Sequence, residues 1–333
     1  MKADVLVVGG GIAGMSAAVR ALEEGASVIL LERANAAERG GNTRYTESYW
    51  RMRSPDAVSE DFETRLAANA AAHADPALIH EMREPYSEWS ALARAAPFVD
   101  PELIAMLAAE APAAVQWLQE MGVRFDFLPN YFIAQSTTRM APVGGGLALL
   151  DALFARAETF GTQLTTLLET TARALRFDDG KVAGVTAVDA DHMFINIDAG
   201  AVVLASGGFE GNPEMLARYI GPMATYTRPV ARGGQYNRGE GIQMALDAGA
   251  APCGDFGSFH AQPVDPRSPE SEAVMLAYHL GVLVNKAGRR FTDEGADMLD
   301  AVYEETTRQI MRQPEGLVYA ILDARVNDVE NWR

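Results

Sequence analysis

Cysteine is almost absent: Cys253 is the only one in 333 residues. That excludes an intrachain disulfide and a clustered thiolate metal site, and no metal is expected. Positive charge is also scarce, with 28 lysines and arginines against 45 aspartates and glutamates, a net charge of −17. Such a field argues against nucleic acid or an anionic membrane surface as a partner. An anionic ligand would have to be met by local arginine or lysine. No apolar run approaches the ~20 residues of a membrane-spanning helix. The first strand is expected from Asp4, leaving no room for a cleavable signal peptide, so the expectation is a cytoplasmic enzyme. Internal repeats and low-complexity linkers are missing too.

What is present is ordinary in bulk and specific in detail. A hydrophobic fraction of 48% with 22% charged residues fits a folded globular chain. The length suffices for about two domains with a full core. The most informative stretch runs from Asp4 to Glu32. An apolar run, Val5-Leu6-Val7-Val8, enters Gly9-Gly10-Gly11-Ile12-Ala13-Gly14; a helical stretch from Met15 to Glu24 follows, then Val28-Ile29-Leu30-Leu31 and Glu32. Gly9 makes the turn off the strand, Gly11 admits a pyrophosphate to the backbone, and Gly14 lets the helix pack close to the sheet. The helix N-terminus offers N–H donors to phosphate, and Glu32, at about the expected ~20-residue distance, offers a carboxylate to a ribose. The spacing predicts an adenine dinucleotide site on a Rossmann-like α/β domain.

A second glycine-rich loop, Gly40-Gly41-Asn42-Thr43, follows almost at once, where a nicotinamide domain would continue with another βαβ unit. The pattern favours a flavin over an ordinary loop and argues against an NAD-dependent dehydrogenase. Further on, Gly144-Gly145-Gly146 opens a helix, Asp179-Gly180 signals a hairpin, and Lys181–Val188 reads as a strand. Separate strands are expected near Met193–Ile197 and Ala201–Ala205, the second ending in Ser206-Gly207-Gly208-Phe209. Residues 56–125 are Ala-rich with helical spacing at Leu103, Ile104, Leu107, Val115 and Leu118, with Pro85, Pro97 and Pro112 as breaks.

These ordered blocks resemble the flavoprotein family of fumarate reductases and succinate dehydrogenases, and within it the soluble branch typified by tricarballylate dehydrogenase. Gly288-Arg289-Arg290-Phe291-Thr292-Asp293-Glu294-Gly295 also looks like a family signature. The resemblance implies an FAD-binding domain over residues 1–252, with 56–125 as a helical excursion, and a partial α+β capping domain over 253–333. It implies hydride transfer between flavin N5 and a CH–CH or C=C bond of a small polycarboxylate, tricarballylate-like or, within the class, fumarate-like. The electron acceptor and oligomeric state are left open. An alternative is a flavin-binding chain without turnover.

Carried over residue by residue, the resemblance places Gly9, Gly11, Ile12, Ala13 and Gly14 at the pyrophosphate and Glu32 at the ribose. Arg33 and Ala34 lie by the adenine end, and Gly40, Gly41, Asn42 and Thr43 run along pyrophosphate and flavin. Ala172 meets the adenine, Ala205, Ser206, Gly207 and Asn212 the adenosine side, and Gly239 and Glu240 a nearby loop. Arg44 and Tyr45 stand where covalently tethered relatives carry a histidine, so FAD is expected to be non-covalent.

On the substrate side the resemblance offers His260 as a carboxylate ligand, with a histidine satisfied in a domain-crossing loop as the alternative. His73 and His80 read as surface and His279 as packing. Arg290 is either a substrate group or the ion-pair partner of Asp293 or Glu294. Arg139 either lines the pocket or is solvated. Fumarate reductases carry a proton-donating arginine just beyond the Arg-Phe-x-x-Glu signature; the run Gly295-Ala296-Asp297-Met298-Leu299-Asp300 has none. The chain ends at Asn331-Trp332-Arg333, inside what the resemblance makes the cap, so an incomplete cap and a flavin lacking one wall are expected.

Overall fold

Leu6 and Val8 point to one side of the first strand and Val7 to the other, and all three are buried in two separate hydrophobic clusters. A strand covered on both faces must be apolar throughout. The structure is a computed structural model describing residues 1–60, 62, 81, 84–91, 101–127, 139–252, 254–270, 274–296 and 299–329. Cys253, His73, His80, Pro97, Tyr131, Phe132 and the terminal Asn331–Arg333 lie outside the described residues.

The central sheet has six strands: β1 Lys2–Val8, β2 Val28–Leu31, β3 Leu164–Leu167, β4 Thr171–Asp178, β5 Lys181–Val188 and β6 Phe194–Leu204. Their spatial order is β3-β2-β1-β6-β5-β4, parallel from β3 to β6 and antiparallel beyond. Asp179 and Gly180 both take positive φ, as a two-residue hairpin turn demands. Helices α1 Ile12–Glu23 and α3 Gly145–Glu158 cover one face, burying Met15, Val19 and Leu22 against Leu149, Leu150 and Leu153. On the other face Ile29, Leu31, Val185, Ile197 and Met244 pack together.

Two expectations are corrected here. The separate strands near Met193–Ile197 and Ala201–Ala205 are one continuous strand, β6. Its first half pairs with β5 and its second half with β1; the polar and glycine positions Asp198 and Gly200 interrupt the apolar pattern without ending the strand. Pro112 does not break its helix either: α2 runs through it from Pro101 to Glu120. The missing N–H costs one turn bond, while Ile104, Ala111, Val115 and Leu118 are buried. Leu103 and Leu107 lie on the exposed side.

Two short helices follow, α4 Pro213–Tyr219 and α5 Glu240–Asp247. Near the C-terminus, β7 Val282–Asn285 and β8 Val318–Ile321 form an antiparallel pair, accompanied by α6 Leu299–Met311. Tyr278, Leu283, Leu299 and Ile310 give this region its own small core. No helix among the described residues is long and apolar enough to cross a membrane.

Candidate active site

The C-terminal ends of β1, β2 and β6 open onto a cleft of about 320 Å³. Ligands of open α/β sheets bind outside the carboxyl ends of the strands. The Gly9 N–H donates to Leu31 O at 2.8 Å and the Ala205 N–H to Val8 O at 2.8 Å, so the three strand ends are locked side by side. A Cβ on Gly14 would sit 1.8 Å from Gly9 O, which explains why the helix can lie so near the strand. A Cβ on Gly11 meets only ordinary contacts, Gly40 O at 3.6 Å and Thr43 Oγ1 at 3.7 Å. The protein therefore leaves Gly11 bare toward the cleft, and the space there is free for a ligand.

The predicted residues Gly9, Gly11, Ile12, Ala13, Glu32, Arg33, Gly40, Gly41, Asn42, Thr43, Ala172, Ala205, Ser206, Gly207 and Glu240 all line this cleft. Glu32 is buried and accepts from the Gly10 N–H at 2.9 Å and the Ala34 N–H at 2.8 Å. Each carboxylate oxygen keeps a further lone pair for a hydroxyl. Arg33 reaches across the chain, donating to Tyr236 O at 3.0 Å and pairing with Glu240 at 2.7 Å. Tyr236 in turn donates to Glu38, and that bond, with partial burial behind it, pushes its ionisation up to about 12. Glu210 accepts from Asn42 Nδ2 at 2.5 Å and from Asn237 Nδ2 at 2.7 Å. These bonds fix the Asn42 amide, whose buried Oδ1 has no hydrogen-bond partner in the structure. A buried acceptor at the cleft wall fits a ligand that brings an N–H or O–H.

Gly14, Ala34, Asn212 and Gly239 were also expected at the cofactor but lie outside the lining. Each supports it instead. Ala34 holds Glu32. Asn212 caps α4, accepting from Glu214 N–H at 3.1 Å and Met215 N–H at 3.3 Å. Gly239 caps α5 and donates its N–H to Gly208 O at 3.1 Å. Conversely, Thr170, Thr171, Glu210, Tyr236 and Asn237 line the cleft without having been anticipated. The pairing of β3 with β2 carries the chain past the end of β2, where the Thr170 N–H donates to Glu32 O at 3.0 Å, a placement that no local pattern announces.

A second cavity, of about 250 Å³, begins three residues past Thr43 with Thr46, Glu47, Ser48 and Tyr49. Its other walls are Arg139, His260, Gln262, Leu276, Leu299 and Tyr303. Burial first, and then the positive charge of Arg51, holds the Arg139 guanidinium below its ordinary ionisation. A half-buried cation beside another cation is favourable terrain for an anion. The Tyr49 ring lies 5.8 Å from that guanidinium and its hydroxyl bonds Glu47. His260 Nδ1 lies 2.6 Å from Glu304 Oε1 and 3.3 Å from the Tyr303 hydroxyl. The hydrogen bond with His260 holds the Glu304 carboxyl below its usual range, against partial burial. Arg290, the other residue expected at the substrate, is not in this lining; it pairs with the buried Glu294, Nε to Oε2 at 3.0 Å. His279 Nδ1 donates to Leu276 O at 2.8 Å, and its ring lies edge-on to Tyr278.

The family model for the FAD binding domain matches residues 4–327. The chain belongs to this family. FAD is its cofactor, and the cleft with its bare Gly11 and open Asn42 acceptor fits that group. The chain is 29% identical to vinyl phenol reductase of Lactiplantibacillus plantarum over 97% of its own length and 62% of that protein's. It is 27% identical to NADH:acrylate oxidoreductase of Vibrio harveyi, covering 97% of this chain and 36% of that one. Among solved structures, the open conformation of a flavocytochrome c3 fumarate reductase aligns with a TM-score of 0.72 at 25% identity, over 98% of this chain and 54% of that one. This FAD-binding chain therefore spans about three fifths or less of the relatives named.

Proposed function

We propose that this chain carries the flavin and substrate sites of an FAD-dependent ene reductase acting on a small enoate, a C=C bond conjugated with a carboxylate. The observation that carries the reading is the cavity beyond Thr43: a half-buried Arg139 and a His260 face hydroxyls and two leucines, directly after the loop that lines the cofactor cleft. When bound, FAD supplies or accepts the hydride. The protein's task is to hold the substrate carboxylate on Arg139 so that the reacting carbon lies toward the cleft.

In the same reading Gly9 to Ala13 and Gly40 to Thr43 cradle the pyrophosphate and flavin, Glu32 holds the ribose, and Ala172 and Ala205 to Gly207 border the adenosine. FAD is held without a covalent tether. Residues 1–252 form the cofactor part and 253–333 belong to a cap. The tricarballylate-like alternative needs three carboxylates met by fixed groups, whereas the cavity lining among the described residues contributes Arg139 and His260. One or two carboxylates, as in acrylate or fumarate, suit it better, and relatives named for acrylate and fumarate support that choice.

The test is to reduce the FAD-loaded protein anaerobically and add acrylate, fumarate or aconitate, the unsaturated counterpart of tricarballylate, in turn. Return of the oxidised flavin spectrum with acrylate or fumarate, and none with aconitate, is expected. A reduced flavin that ignores both acrylate and fumarate would refute the proposal.

A further inference from the structure

Hydrogenation of a C=C bond needs two different hydrogens. One carbon takes a hydride, and its neighbour beside the carboxylate then carries negative charge and needs a proton. Resting on the enoate-site reading, the donor of that proton must stand near the group that anchors the carboxylate. Arg139 and Tyr303 line the same cavity and each feels the other's charge.

The titratable groups of the lining can be taken in turn. Glu47 is exposed and is bound by the Tyr49 hydroxyl, which commits both. Arg139 is committed to the carboxylate. His260 turns Nδ1 to Glu304 at 2.6 Å. Among the described residues that leaves Tyr303, one turn along α6 from Leu299, half-buried and edge-on to the His260 ring at 5.5 Å between centroids. With the Nδ1 proton directed at Glu304, the Tyr303 oxygen can only accept from that nitrogen, along the longer 3.3 Å arm. Its own O–H is then free to point into the cavity.

We infer that the Tyr303 hydroxyl gives its proton to the carbon beside the substrate carboxylate and is reloaded from His260 Nδ1. The bookkeeping of atoms closes. The Tyr303 O–H bond breaks and a C–H bond forms, with the electron pair of the carbanion taking the proton. With His260 protonated on both ring nitrogens, the phenolate draws the Nδ1 proton and leaves a neutral imidazole, which takes a proton back from solvent while the Glu304 carboxylate, itself partly open to solvent, holds the ring in place. Burial, and after it the Glu304 charge, raises the Tyr303 ionisation to about 12, so the donor stays loaded across the neutral range. A route to solvent is what a donor in a closed cavity needs, and the exposed edge of His260 provides it.

The test needs no turnover. Succinate and the nitronate of 3-nitropropionate have nearly the same shape, but the nitronate mimics the carbanion and demands a proton or hydrogen bond from the donor. Both are titrated into FAD-loaded wild type and Tyr303→Phe, following the flavin spectrum and calorimetry. Losing a hydrogen bond to a charged acceptor predicts a roughly 10- to 100-fold weaker nitronate complex. Succinate should shift by about threefold or less, which also shows that the variant is folded. Equal loss for both ligands, or a nitronate complex that Tyr303→Phe leaves intact, would overturn the Tyr303 assignment while the enoate site stands. Wild type that binds neither ligand would overturn the enoate site and the assignment together.

Discussion

At the scale of single residues, two glycines three positions apart do different work, and substitution separates them. Gly11 faces open cleft, with Gly40 O and Thr43 Oγ1 only at ordinary distance, whereas a Cβ at Gly14 would collide with Gly9 O at 1.8 Å. Gly11→Val should fold normally and lose FAD affinity by about tenfold or more, some 1.4 kcal/mol. Gly14→Ala should cost about 1–3 kcal/mol of stability by forcing helix from strand, and flavin with it. Thermal unfolding and flavin content of the two purified variants check this together. A Gly11→Val protein that keeps its flavin would remove the cleft from the account. The glycine cleft was legible because its geometry is local: turn, helix start and acidic strand end follow one another in a single stretch of chain. The second cavity was legible only in part: His260 and Arg139, both offered for the pocket by the sequence, line it, but their neighbours were not foreseen. His260 and Glu304 lie 44 residues apart, and nothing in the local pattern around Tyr303 distinguishes it from a core aromatic. Arg290 was ambiguous for the opposite reason, since a guanidinium four residues from a glutamate satisfies a helix-like ion pair as readily as a ligand.

At the scale of elements, the sheet is held from both sides and its energetics follow from that. Leu153 of α3 is fully buried against α1 and β1. Leu153→Ala should cost about 2–5 kcal/mol, read as a lowered denaturant midpoint with an unchanged slope. The β7–β8 region depends on a polar lock. Glu294, 4% exposed, accepts from the Leu283 N–H at 2.6 Å and from Arg290. Burial alone would raise its carboxyl, but the bonds from Arg290 and Leu283 outweigh it and the ionisation is lowered. The lowered folded value means that Glu294 stabilises the fold fully above the ordinary carboxylate range. That contribution vanishes as pH falls through the lowered value. Glu294→Ala should cost about 1.5–3 kcal/mol at neutral pH and flatten the acid limb of stability against pH. An unchanged acid limb would show that the lock is elsewhere. Strand and helix identities were largely readable from periodicity. What was misread, the join within β6 and the passage of α2 through Pro112, are places where tertiary packing overrides a local breaker.

For the whole molecule, the decisive relation is the adjacency of two hollows: a dinucleotide cleft at the strand ends and an Arg139 cavity that starts three residues beyond it. Net charge of −17 makes that local cation necessary, since the protein as a whole repels anions. Raising ionic strength should therefore improve enoate association slightly by screening the global field, and a Debye length of about 8 Å at physiological salt leaves the direct contact to Arg139 in force. The most direct measurement is anaerobic single turnover. Reduced, FAD-loaded wild type and Arg139→Gln are mixed with increasing fumarate and acrylate, and flavin reoxidation is followed. The account predicts saturation in wild type with at least one enoate, and a half-saturating concentration about tenfold higher in Arg139→Gln, at equal flavin content. Reoxidation that rises linearly and identically in both proteins would contradict it, because the cavity would then have no part in the reaction.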